Sequence, residues 1–261
     1  MTTVLTVPYG PDADQIGDLH LPHRPGAPVA VLVHGGFWRG YWRRDLMTPL
    51  AEVLVEQGWA VWNVEYRRVG GGGGAVTTLN DVSHALDVVD LLAARHDLDG
   101  SDVTVIGHSA GGHLAACTAL RGDAVAGRPA LFGHPAVVVP TRVVGLAPVL
   151  DLVACEERAL GGHAAAEFVG ARLDEAPEGF VELSPRHRLP SGVRTLVVHG
   201  TADDRVPHDL SVEYVSAARS AGDDIELCTI EGGDHFVVID PEHPSWTSIV
   251  RWMRGDTLAV P

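Results

Sequence analysis

The chain has 261 residues, 46% of them hydrophobic, and a formal net charge of −15 at neutral pH, so it holds enough apolar material for one large core. That acidic surplus argues against nucleic acid or an anionic membrane as a partner. All 19 cationic residues are arginine, which excludes a lysine-bearing phosphate loop, a pyridoxal Schiff base and a serine–lysine pair.

The opening stretch Met1-Thr2-Thr3-Val4-Leu5-Thr6-Val7-Pro8 has neither the basic nor the apolar segment of a signal peptide. No apolar run approaches the roughly 20 residues that span a bilayer, and the expectation is a cytoplasmic protein. Cys117, Cys155 and Cys228 lie far apart without CxxC spacing and read as reduced, mostly buried thiols. None of the 14 histidines forms an HExxH motif or a Cys/His ligand run, so no metal centre is expected.

Residues 3–7 and 16–21 predict an antiparallel pair at a sheet edge. Apolar runs follow at Val29–Val33, Trp59–Val64, Val103–Ile106, Arg142–Ala147, Thr195–Val198 and Ile225–Ile230, each ending in a turn signal. Such continuous runs fit strands buried on both faces of a mostly parallel sheet. Helical patterns separate them at 45–57, 77–96, 110–120, 208–221 and 244–254. In the second of these, Leu79, Val82, Leu86, Val89 and Leu92 share one face. The last starts with Pro244 at a first-turn position. This alternation predicts one α/β domain over 1–261.

Two segments break the pattern. The run Gly70–Gly74 predicts a mobile loop, and no Lys-Ser/Thr follows it as a phosphate loop requires. Residues 148–192 separate two strands by far more than an ordinary connection. With helices at Leu150–Leu160 and Ala164–Arg172, they predict a cap insertion over the site.

The chemistry is written at the strand ends. After Val103–Ile106 the chain reads Gly107-His108-Ser109-Ala110-Gly111-Gly112 and continues in helix-compatible residues. Strand, Gly-X-Ser-X-Gly and helix in that order mark a nucleophile elbow, which lifts the Ser109 hydroxyl clear of the sheet edge. A serine hydroxyl needs a base, and the base needs an orienting acid. The run at 195–198 leads into His199-Gly200-Thr201-Ala202-Asp203-Asp204-Arg205-Val206-Pro207, and that at 225–230 into Glu231-Gly232-Gly233-Asp234-His235. Asp203 is the candidate acid and His235 the candidate base. Asp204 reads as a helix cap, with the acid as its alternative role, and His199 and His208 read as structural.

Val29–Val33 ends in His34-Gly35-Gly36-Phe37-Trp38, whose small residues leave backbone N–H groups unshielded. The amides of Gly36, Phe37 and Ala110 are candidates to hold a tetrahedral oxyanion. From Phe37 to Arg44 the chain crowds Phe37, Trp38, Tyr41 and Trp42 with Arg39, Arg43 and Arg44. One reading makes Trp38, Trp42 and these arginines substrate contacts, with an arginine gripping a substrate anion. The other places the tryptophans in the core and pairs Arg43 and Arg44 with Asp45 or Glu52.

With these residues in hand, the chain resembles the α/β-hydrolase superfamily over nearly its full length. His34-Gly35-Gly36-Phe37-Trp38 resembles the HGGxW motif of kynurenine formamidases and related small esterases. Glu65-Tyr66-Arg67-Arg68 before the glycine run, and His199–Pro207 before a helix, are similar to the same group. The resemblance implies an eight-stranded, mostly parallel sheet with helices on both faces and a cofactor-free Ser109–Asp203–His235 triad. It also implies that the acid is the first aspartate of its stretch, Asp203.

The expected function is a serine hydrolase acting on a small, aromatic ester or formamide through an acyl-enzyme on Ser109. An alternative is an acyltransferase moving an aryl acyl group from a thioester, carrier-protein thioesters included, to an acceptor other than water. A non-catalytic binding module on the same fold is the reading from a different class.

Overall fold

The computed structural model describes residues 3–121 and 131–258; the ends of the 1–261 span, with Met1 and Thr2, lie outside it. Among the described residues eight strands form one sheet: β1 (Thr3–Pro8), β2 (Ile16–Leu21), β3 (Ala27–Val33), β4 (Ala60–Val64), β5 (Leu98–His108), β6 (Arg142–Leu146), β7 (Arg194–Gly200) and β8 (Ile225–Ile230). Their spatial order is β1-β2-β4-β3-β5-β6-β7-β8. β1 pairs antiparallel with β2, and β2 antiparallel with β4; from β4 onward every pair is parallel.

The burial of each strand follows its place in this order. All five residues of β4 and all but one of β3 are buried, as expected where helices cover both faces. β1 is exposed along nearly its whole length because it pairs on one side only. Among the described residues five longer helices cover the sheet: α1 (Thr48–Glu56), α2 (Ala75–His96), α3 (Ala110–Ala119), α7 (His208–Ser220) and α8 (Ser245–Met253). α2 and α3 pack in one apolar cluster with Trp62, Val31 and Val105. α1 and α8 pack in a second with Ala30, Leu32 and Val144, strand neighbours that point to the opposite face. Among the described residues no helix is long and apolar enough to cross a membrane.

Between β6 and β7 run three short helices, α4 (Leu152–Glu157), α5 (Ala164–Val169) and α6 (Pro177–Leu183). The first two are shorter than their sequence pattern predicts. The third escapes prediction, because seven residues are too few to display a helical period and its main anchor is the single buried Phe180. Phe168 of α5 stacks on Trp38 at 4.5 Å, which ties this excursion to the loop after β3.

The five-glycine run, expected to be mobile, folds as a defined turn. The Gly71 and Gly73 amides both donate to the Arg68 carbonyl, each at 2.9 Å. Thr78 Oγ1 donates to the Arg67 carbonyl at 2.7 Å and ties the turn to the first turn of α2. Composition reports the freedom of the unfolded segment; these hydrogen bonds define the folded turn.

Candidate active site

Parallel strands present their carboxyl ends at one edge of the sheet, and the loops there build the site. Ser109 follows β5, the 34–38 loop follows β3, Asp203 follows β7 and His235 follows β8. Ser109 has φ 56° and ψ −119°, a strained conformation for a residue with a Cβ. Its neighbours allow the turn by being small. A Cβ on Gly107 would lie 2.1 Å from the Gly111 carbonyl oxygen, and one on Gly111 would lie 2.2 Å from that of Val33. The elbow glycines are thus dictated by close backbone approach, and the positive φ falls on the serine itself. The Ser109 amide is fixed by the Leu146 carbonyl of β6 at 2.8 Å.

Asp203 and His235 meet as the strand order requires. His235 Nδ1 lies 2.7 Å from Asp203 Oδ2, with both side chains almost fully buried. Asp203 Oδ1 accepts from the amides of Arg205 at 2.8 Å and Val206 at 2.9 Å, and His199 Nε2 lies 3.0 Å from Oδ2. Burial works to raise the Asp203 pKa, but the hydrogen bonds from His199 and His235 outweigh it and hold the carboxyl well below the usual range. The acid is therefore an anion bonded to the Nδ1–H of His235, which leaves Nε2 of that ring for chemistry. Asp204 points away, 78% exposed and 3.4 Å from Arg205.

The three candidate oxyanion amides come from two segments far apart in sequence, the loop after β3 and the first residue of α3. Gly36, Phe37 and Trp38 all have positive φ, at 118°, 52° and 56°. This run turns the loop back so that the Arg39 amide donates to the Gly36 carbonyl at 3.0 Å. Gly35 packs directly on the elbow: a Cβ there would meet the His108 carbonyl oxygen at 2.8 Å and Ser109 Cβ at 2.9 Å. Among the described residues the amides of Gly36, Phe37 and Ala110 form no backbone hydrogen bond. Ala110 also opens α3, so the positive end of that helix faces the same point.

Beneath the loop lies a buried ionic network that sequence reading touched only by resemblance. The fully buried Glu65 receives His34 Nε2 at 2.8 Å, the Arg44 amide at 3.1 Å and the Arg68 guanidinium. Burial would raise the Glu65 pKa, but His34 and Arg68 hold it below its ordinary value. His34 Nδ1 also faces the Gly35 carbonyl at 2.8 Å, and Tyr66 donates to the His34 carbonyl at 2.7 Å. The Glu65-Tyr66-Arg67-Arg68 stretch thus supports the backbone that carries the candidate oxyanion donors.

The proposed substrate contacts separate. Trp38 is fully buried, stacked on Phe168 and edge-on to His113, so it belongs to the core. Trp42 is 38% exposed and lies over Gly36, 6.1 Å from the Phe236 ring that follows His235. Each arginine is engaged by this chain: Arg39 by Glu167 at 2.7 Å, Arg43 by Asp14 at 2.8 Å, and Arg44 by Asp18 at 2.6 Å. The partners expected in the sequence, Asp45 and Glu52, are not the ones used, because Asp14 and Asp18 arrive from the β1–β2 hairpin. These ion pairs are what the surface-charge reading of the three arginines expects, and Arg43 stays 56% exposed.

The sequence reading gave His199 a structural role and His108 none, yet both contact the candidate triad. His199 sets its Nε2 against Asp203 Oδ2. His108, the residue before Ser109, presents Nε2 to the His235 carbonyl oxygen at 3.1 Å. The signal for both was a polar side chain inside or ending an apolar strand. Burial also pushes the Cys117 and Cys155 thiols up to about 12, which leaves them unreactive near neutral pH.

Residues 18–217 match the BD-FAE family. The Esterase LipQ of Mycobacterium tuberculosis is 30% identical over 228 residues, covering 83% of this chain and 52% of that protein. The Kynurenine formamidase of Danio rerio is 32% identical over 116 residues, 44% of this chain and 38% of that one. The chain spans about half the length of the first of these curated relatives. Among solved structures, a truncated carbohydrate esterase from gut microbiota superposes with a TM-score of 0.85 at 21% identity, covering 97% of this chain and 95% of that one. The sheet order, the serine elbow and the matched span agree: this chain has the α/β-hydrolase fold and belongs to the BD-FAE family.

Proposed function

We propose that the protein is a serine hydrolase that cleaves a small carboxylic ester carrying an aromatic group, through an acyl-enzyme on Ser109. One observation carries the reading: a strained, elbow-borne Ser109 shares the sheet edge with the Asp203–His235 pair and the unbonded amides of the 34–38 loop. His235 Nε2 takes the Ser109 proton as Oγ adds to the ester carbonyl. The oxygen of the tetrahedral intermediate is held by the amides of Gly36, Phe37 and Ala110, donors that typically contribute about 100- to 1,000-fold each. His235 then returns the proton to the leaving alcohol. A water, deprotonated by the same nitrogen, releases the acid and restores Ser109.

The aromatic preference is supported by the rings at the mouth. Trp42 lies over the oxyanion loop and Phe236 beside His235, with centroids 5.4 Å apart in the latter pair. Both remain partly exposed and offer flat apolar faces to an acyl or alcohol group. With the nearby arginines committed to carboxylates, the favoured substrate is neutral. A formamide is the second reading, supported by the match to the Danio rerio formamidase, and needs only an amine in place of the alcohol.

Ser109→Ala tests the reading. The variant should fold normally, lose labelling by a fluorophosphonate, and lose turnover by about a millionfold, as a related triad enzyme did. Wild-type labelling would place the nucleophile elsewhere. A panel of aryl esters, aryl formamides, aryl thioesters and alkyl esters, with product analysis for free acid, separates hydrolysis from acyl transfer and ranks the leaving groups.

A further inference from the structure

We propose that His199 is a positioning residue for the reaction: it fixes the Asp203 carboxylate through the same oxygen that receives His235, and so sets the orientation of the base. The proposal rests on the triad reading above. His199 is fully buried near the end of β7, four residues before Asp203. Its Nε2 lies 3.0 Å from Asp203 Oδ2 and 2.8 Å from the Val206 carbonyl oxygen. Both neighbours are acceptors, so this nitrogen carries a hydrogen and shares it between them. Nδ1 lies 2.7 Å from Ser211 Oγ on α7, a hydroxyl that can turn to satisfy it. The ring is therefore gripped at both nitrogens, between β7 and α7.

The carboxylate requires this second imidazole. Asp203 Oδ1 is held by two amides of its own loop, those of Arg205 and Val206. Without His199, Oδ2 would have the His235 Nδ1–H as its one side-chain donor, and the carboxylate plane could follow that ring as it moves. With His199 in place Oδ2 receives two N–H groups, and the base is anchored to β7 instead of carrying its acid along. The tie to Val206 adds rigidity, because it closes the 203–206 turn back onto the strand. His208 stands edge-on to the His199 ring at 5.5 Å and completes the wall around it.

Two amide variants separate the halves of the ring. Glutamine places its side-chain nitrogen about where Nε2 sits and can still donate to Asp203. Asparagine places its nitrogen about where Nδ1 sits, keeping Ser211 and losing Asp203. His199→Asn is expected to lower kcat by about ten- to a hundredfold, the effect of losing a hydrogen bond to a charged group, with KM held within about threefold. His199→Gln is expected to stay within about threefold of wild-type kcat. Equal losses in the two variants, wild-type kcat in His199→Asn, or failure of either to fold overturns the proposal, because a role confined to orienting Asp203 leaves the fold intact. Ser109→Ala decides the underlying reading separately. If that variant keeps its fluorophosphonate labelling, the triad itself fails. If it loses labelling while His199→Asn keeps full kcat, the His199 proposal alone fails.

Discussion

His108 Nε2 lies 3.1 Å from the backbone carbonyl oxygen of His235, so the residue before the candidate nucleophile holds the loop that carries its base. Burial, with His235 alongside, pushes the His108 pKa down to about 3. The ring therefore stays neutral across the working range, and its Nε2–H is a constant donor. Its rings also approach, with the His108 and His235 centroids 4.7 Å apart. Elbow and base loop are thus locked together by a contact that does not titrate near neutral pH.

His108→Ala should lower kcat by roughly three- to tenfold, the worth of one neutral hydrogen bond. Because the donor is uncharged throughout, the ratio of wild-type to variant kcat should be the same at pH 6 and pH 8. Steady-state kinetics at both values check it; a ratio that changes severalfold would show that the ring titrates in that range.

The two neighbouring aspartates should behave differently. Asp203→Asn replaces the buried anion that orients His235 and should cut kcat by about 10⁴-fold, the order seen in a serine protease. Asp204→Asn removes an exposed charge loosely paired with Arg205 and should stay within about twofold of wild type. Parallel kinetics on the two variants decide the matter, and a larger loss at Asp204 would reverse the assignment of the acid.

Acid should destabilise the fold through its buried histidines before its carboxylates matter. Burial pushes His113 down to about 4 and His108 to about 3. In the unfolded chain both titrate near the ordinary histidine value of about 6.5. Between the folded and unfolded values the unfolded state binds more protons, so stability is lost as pH falls below about 6.5. By pH 4.5 each ring should cost on the order of 2 kcal/mol. Asp203, whose pKa is depressed by folding, acts in the same direction only below its unfolded value of 3.8. Thermal midpoints from pH 7 to pH 4.5 should fall, and less steeply in His113→Gln, which can keep a donor toward the Leu183 carbonyl without titrating. An unchanged slope in that variant would remove His113 from the account.

What could be read from residues alone has a common physical basis. Continuous apolar runs mark strands covered on both faces, so β3 through β8 were legible, although β5 starts at Leu98, five residues before its apolar run. The elbow was legible because strand, glycine spacing and helix are contiguous in the chain. The order serine, aspartate, histidine was legible because each candidate follows its own strand. Sequence also put Asp203 ahead of Asp204 as the acid, and the resemblance supported that choice.

The rest depended on contacts between segments distant in the chain. That Arg43 and Arg44 face Asp14 and Asp18 follows from the β1–β2 hairpin packing beside the 34–44 loop, and no local spacing encodes it. Trp38 and Trp42 look equivalent in sequence; three consecutive positive φ values turn the first inward and leave the second over the loop. His199 reads as a lone polar residue at a strand end until the fold brings Ser211 and Asp203 to its two nitrogens. Periodicity and adjacency are properties of the chain and determined the framework and its candidate catalytic residue types. Charge pairing and the state of each imidazole are set by what lies across space, and the tertiary structure alone decided them.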